Sequence, residues 1–118
     1  MAADNTVQGQ IVLPATEPGA DKADIIVQVE DVSRADAPSI VISEYRKRHV
    51  RLTPGEILPF KIEVPADRIE PNHSYSVRAH IDVSGSGEVE KGDFITTQSY
   101  PVLTRGYGND VRLSVQRV

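Results

Sequence analysis

Apolar side chains recur at every second position through much of this chain, and that period makes each such segment an extended strand with one buried face and one wet face. The longest run sets Tyr75, Val77, Ala79, Ile81 and Val83 against Ser74, Ser76, Arg78, His80 and Asp82. Leu58, Phe60, Ile62 and Val64 alternate with Pro59, Lys61 and Glu63, and Ile25, Val27 and Val29 alternate with Ile26, Gln28 and Glu30. Val111, Leu113 and Val115 oppose Arg112, Ser114 and Gln116, while Val7, Gly9, Ile11 and Leu13 form a similar opening row. One-faced rows are the habit of antiparallel sheets. No stretch carries the three-to-four spacing of a helical face.

Between the rows lie turn clusters with the glycine, proline or Asx chemistry that turns require. They fall at 16–21, around Pro54 and Gly55, from Pro65 to Pro71, at Ser84-Gly85-Ser86-Gly87, and from Gly106 to Asp110. The punctuation predicts strands near 6–13, 24–32, 39–49, 56–64, 74–83, 93–103 and 110–118. Strands so spaced predict an all-β fold, a small antiparallel β-sandwich of about seven strands, immunoglobulin- or transthyretin-like, as one domain over 1–118. A chain of 118 residues has the size of one domain and buries roughly two-thirds of its unfolded surface.

Composition narrows the function classes. Cysteine is absent, which excludes disulfides and thiolate zinc sites. A net charge of −4 argues against nucleic acid as a partner. No apolar run reaches the ~20 residues of a transmembrane helix, and no signal-peptide core precedes Asp4. The expected compartment is the periplasm or the outer-membrane surface if an export signal was removed, and the cytoplasm otherwise.

Few residues gather into chemistry. Ser33 and Asp36 have the Ser-x-x-Asp spacing of a capping box, with Pro38 ending any helix after about one turn. The expectation is a fixed connection, with Arg34 pointing to solvent as a candidate for an acidic partner. Asp82-Val83-Ser84-Gly85-Ser86-Gly87, with Asp93 at the twelfth position, matches the oxygen spacing of an EF-hand loop. Its flanks alternate as strands and its middle ligands are neutral serines, so the expectation is a hairpin loop with a mobile tip and no metal. Arg46-Lys47-Arg48-His49, with Arg51 beyond, is the one dense cationic run. Alternation sends Arg46 and Arg48 to one face and Lys47, His49 and Arg51 to the other. It reads as a charge-defended edge strand, or as a surface for an anionic partner. His49, His73 and His80 lack ligand spacing, and no nucleophile elbow, phosphate loop or dinucleotide motif occurs. No cofactor and no enzymatic activity are expected. The candidate interaction residues are Arg34, Asp36, Arg46, Arg48 and Arg51.

Three blocks in order resemble the YbaY-type lipoproteins, grouped with the YscW pilotin-like lipoprotein chaperones of type III secretion. They are Asp31-Val32-Ser33-Arg34-Ala35-Asp36-Ala37-Pro38, then Leu58-Pro59-Phe60-Lys61-Ile62, then Ile69-Glu70-Pro71 leading into Tyr75-Ser76-Val77-Arg78-Ala79. The opening Val7-x-Gly9 strand and the closing region from Val102 to Val115 fit as well. The resemblance implies a lipid-anchored β-sandwich of the bacterial envelope. It implies a non-enzymatic binding or chaperone-like role toward an envelope or outer-membrane protein. The sequence departs from the family in having no cysteine to lipidate, so either the anchor lay in a removed leader or this member is unanchored. The competing expectation is a structural or accessory domain without a small-molecule ligand.

Overall fold

The computed structural model describes residues 5–15, 19–34 and 36–118. The first residues of the chain, residues 16–18 of the expected turn at 16–21, and Ala35 of the 31–38 segment lie outside them. The strands are β1 (Asn5–Val12), β2 (Ala20–Asp31), β3 (Ile40–Leu52), β4 (Ile57–Val64), β5 (Tyr75–Asp82), β6 (Phe94–Thr96), β7 (Pro101–Val102) and β8 (Asp110–Arg117). A single 3-10 turn, Ala66–Arg68, follows β4.

All eight strands belong to one sheet, ordered β3-β2-β5-β6-β8-β1-β4, with β7 pairing β5 off this path. The ends of the path approach one another, where Ser43 Oγ on β3 donates to the Glu63 carbonyl on β4 at 2.7 Å. The all-β expectation therefore holds, but the two-sheet sandwich is corrected: one sheet curls into a nearly closed barrel. Period two fixes which face of a strand is buried, and that face looks the same whether a second sheet or the far wall of a barrel covers it.

Two features drive the curl. β8 uses residues 110–114 to pair parallel with β1 and residues 115–117 to pair antiparallel with β6, so one strand joins both halves. At the parallel seam Gly9 faces Val111, and a Cβ on Gly9 would sit 1.8 Å from the Val111 carbonyl oxygen. Only glycine permits that approach.

The interior holds the inward rows of every long strand, including Val7, Ile11, Val27, Val29, Ile62, Val77, Ile81 and Leu113. Phe60 and Tyr75 are among its large pieces. Burying a side chain of this size contributes about 1.5–3 kcal/mol. The Tyr75 hydroxyl is not stranded there, since it accepts from the Glu70 N–H at 2.7 Å.

The strand expected over 93–103 is divided. β6 and β7 both pair β5, and residues 97–99 leave the ladder between them. Side chains replace the missing ladder bonds: Ala79 N–H donates to Thr96 Oγ1 at 3.2 Å, and Tyr100 N–H donates to Ser76 Oγ at 3.0 Å.

Candidate functional site

The β5–β6 connection is built on two aspartates. Asp82, at the end of β5, accepts from Ser84 Oγ and the Gly85 N–H on one oxygen, and from the Gly87 N–H on the other, each at 2.9 Å. Gly87 reaches this position with φ of 83°, which glycine adopts without strain. Asp93, wholly buried just before β6, accepts from Val83 and Ser84 N–H at 2.9 and 3.1 Å through Oδ1. Its Oδ2 accepts from Glu90 N–H at 3.0 Å and from His80 Nε2 at 2.9 Å. Burial alone would raise the Asp93 pKa, but the hydrogen bonds from His80, Glu90, Ser84 and Val83 outweigh it and hold the carboxyl below the usual carboxylate range. Asp82 is likewise lowered: burial and neighbouring Asp93 oppose ionisation, and the bonds from Gly87, Ser84 and Gly85 prevail.

His80, Asp82 and Asp93 bring potential ligand atoms within 4.8 Å of one another, the metal-like cluster found among the described residues. The donor set does not fit a cation. Every carboxylate oxygen in it already accepts hydrogen bonds from the loop or from His80. The calcium-like spacing is the spacing of two anchors that collect the loop's own N–H groups. The segment from Ser84 to Gly87 lies between the fifth and sixth strands as expected, laced by hydrogen bonds.

So anchored, residues 87–89 stand over the outward face of the sheet. β2 is the central strand there, with Ile26 opposite Arg46 of β3 and His80 of β5, and Gln28 opposite Glu44 and Arg78. Together with Val89 and Glu88 these residues line a cleft of about 450 Å³. Its floor is apolar: Ile26 is only 6% exposed although it points away from the barrel interior. Its walls carry Arg46, Arg78 and Glu88. Arg46 Nε is held by Glu44 Oε1 at 3.0 Å, and Gln28 Nε2 also donates to Glu44, at 3.3 Å. Arg78 is exposed and has no ion pair among the described residues.

The segment 31–38 forms a second, smaller site at the far end of β2. Asp31, not Asp36, organises it. Asp31 Oδ1 accepts from Ser33 N–H at 3.0 Å and from Ser33 Oγ, while Oδ2 lies 2.7 Å from His73 Nδ1. Ser33 Oγ in turn accepts from Ser74 N–H at 2.9 Å. Burial would raise Asp31, but the bonds from Ser33 and His73 lower it. The expected Ser33–Asp36 capping box is therefore corrected: Ser33 pairs with Asp31, none of the described residues there is helical, and the Asx turn begins two residues before Ser33.

The family model for the type III secretion system lipoprotein chaperone (YscW) matches residues 2–115. The chain belongs to the YscW family. Its fold is similar to a solved structure described as an alternative pilotin from the type II secretion system of Vibrio cholerae, with a TM-score of 0.80 and 28% identity. That likeness covers 98% of this chain and 97% of the other. Among curated proteins, none matches the sequence.

The expected interaction residues of this YscW-family chain are spread along β3 and its approach. Arg34 and Asp36 are exposed on the connection before β3, Arg46 lines the cleft, and Arg48 is exposed on the strand. Arg51 borders a separate shallow groove with Asp21 and Pro54 at the other end. The thirteen residues of β3 separate the two ends by about 40 Å at 3.3 Å per residue. The expected division of faces is corrected as well. Lys47 pairs Ile25 and Val50 pairs Ala23, so an extra residue lies between them. His49 takes up this bulge with φ of 56°, its N–H donating to Asp24 Oδ1 at 3.2 Å. Beyond the bulge Val50 and Leu52 face the core, so Arg51 returns to the outward face of Arg46. Arg78 and His80 escape sequence reading because they look like any solvated alternates of β5. Only the register to β2 places them beside Arg46.

Proposed function

We propose that this domain is a non-enzymatic, pilotin-like chaperone module of the bacterial envelope that binds an outer-membrane secretin or a similar envelope protein. The observation that carries the reading is the end-to-end likeness to a pilotin together with the family match over 2–115. The geometry agrees with binding rather than catalysis. A serine, a histidine and an aspartate do meet, at Ser33, His73 and Asp31, and His73 Nδ1 meets the aspartate as in a triad, but Ser33 Oγ donates to Asp31 instead of to the histidine. The histidine is therefore not placed to take the serine's proton. Of the buried acids elsewhere, Asp82 and Asp93 hold the β5–β6 loop and Glu30 accepts from the Ser39 hydroxyl. No helix among the described residues is long and apolar enough to cross a membrane.

The proposed contact surface is the outward face of β3, β2 and β5. Arg46 lies at its centre, with Arg48 and Arg51 toward one end and Arg34 and Asp36 toward the other. Deleting the gene in its native host and scoring heat-resistant secretin multimers in the outer-membrane fraction tests the reading. Loss or mislocalisation of the multimers, restored by the wild-type gene, is expected. Unchanged multimers of every secretin the host encodes would refute it.

A further inference from the structure

We infer that the cleft beneath residues 87–89 receives an extended acidic segment of a partner polypeptide. A carboxylate sits between Arg46 and Arg78, and an apolar side chain rests on Ile26 beside Val89. This deepens the protein-binding reading above and rests on it. Charge supplies the first argument. The chain is acidic overall, at −4, yet two arginines flank β2 here. Arg78 forms no ion pair among the described residues, and Arg46 engages Glu44 through Nε alone. Arg46 and Arg78 stand on the strands either side of β2 and one row out of step, about 12 Å apart at the backbone, a gap that two extended arginine side chains can close over one carboxylate. Arginine's planar fork suits that acceptor.

The apolar floor supplies the second. Ile26 is the outward-facing aliphatic residue of β2 in this row, set among Arg46, His80 and Gln28, and Val89 beside it remains 41% exposed. An apolar ligand side chain would complete a contact that the loop leaves half covered. The third argument concerns shape. Arg78 also lines an adjoining groove with Thr97, Gln98 and Ser99, so the cleft continues past β5 along a row of polar side chains. A linear peptide can use such a row, whereas a compact lipid headgroup would engage the arginines alone. Glu88 stands at the rim without an ion pair to either arginine among the described residues, and it would repel the incoming acid.

The test is fluorescence anisotropy with a short fluorescein-labelled peptide in which Glu and Leu alternate, against the same peptide with Lys for Glu and against anionic phospholipid vesicles. The acidic peptide should bind the wild-type protein, and added salt should weaken it. Arg78→Glu should weaken binding about tenfold or more, as loss of an interfacial charge partner does. Glu88→Gln, an exposed change that leaves the fold alone, should tighten it. Thermal unfolding of each variant reports folding separately. Binding that ignores Arg78→Glu in a folded variant, equal binding of the Lys peptide, or binding of vesicles without the acidic peptide would overturn the inference. So would absence of acidic-peptide binding. If secretin multimers still depend on the gene in that case, the chaperone reading survives and only the cleft assignment fails.

Discussion

His80 Nε2 lies 2.9 Å from Asp93 Oδ2, and the carboxylate it meets has no exposed surface. The contact links β5 to the residue just before β6, beneath the loop that roofs the cleft. Asp93→Ala would leave the N–H groups of Val83, Ser84 and Glu90, and the ring of His80, without their acceptor. A donor left unmet away from water costs about 1–3 kcal/mol, and these are partly buried, so a loss of roughly 3 kcal/mol is expected in chemical denaturation. A loss below about 1 kcal/mol would mean that solvent replaces the carboxylate.

Acid should act through the same groups. The hydrogen bonds they accept hold Asp31, Asp82 and Asp93 below the usual carboxyl pKa in the folded chain. As pH falls past that value the unfolded chain takes up protons first. The stability these groups contribute is therefore complete above it and disappears as pH falls through the folded pKa values. Urea unfolding between about pH 5 and pH 3 should show falling stability, with a shallower fall in Asp93→Asn. Equal slopes would assign the acid sensitivity to other carboxyls.

Calcium should leave the melting temperature unchanged. A ligand stabilises only when it binds the native state, and here the carboxylate oxygens of Asp82 and Asp93 already accept from N–H and O–H donors. Differential scanning fluorimetry with millimolar calcium is the measurement. A rise of several degrees would show that the loop can release those donors for a cation.

Asp31 and Asp36 should behave differently although both lie in the same connection. Asp31→Ala removes the acceptor shared by Ser33 and His73 and should cost about 1–2 kcal/mol, as lost caps do. Asp36→Ala alters an exposed side chain and should fall within about 0.5 kcal/mol of wild type. Reversed effects in denaturation would restore the capping-box reading.

Gly9→Ala should be severe. The added methyl would lie 1.8 Å from the Val111 carbonyl oxygen, a backbone atom that cannot rotate away as a side chain could. Overpacking of this kind costs about 1–3 kcal/mol or more, and the strained pair is the parallel seam itself. A variant that melts within a degree or two of wild type would mean that β1 and β8 separate easily.

The strand faces were legible in the sequence because alternation is local: Val77 and Ile81 face inward in any sheet that buries one side of β5. The turn positions were legible for the same reason, and so was the family, whose blocks lie along strands and their connections. What tertiary structure decided is how the faces meet. Parallel pairing of β1 with β8 joins residues about a hundred positions apart, and nothing in either segment announces the partner. Asp31 rather than Asp36 became the organiser because His73, remote in sequence, meets Asp31 while Ser74 donates to the Ser33 hydroxyl bound to it. The bulge at His49 moved Arg51 to the face of Arg46, since one extra residue reverses every alternation that follows it. Arg46, Arg78 and Ile26 are ordinary members of three separate strands. They line one cleft because register sets them in neighbouring rows, and register is a property of pairing between strands rather than of any strand alone.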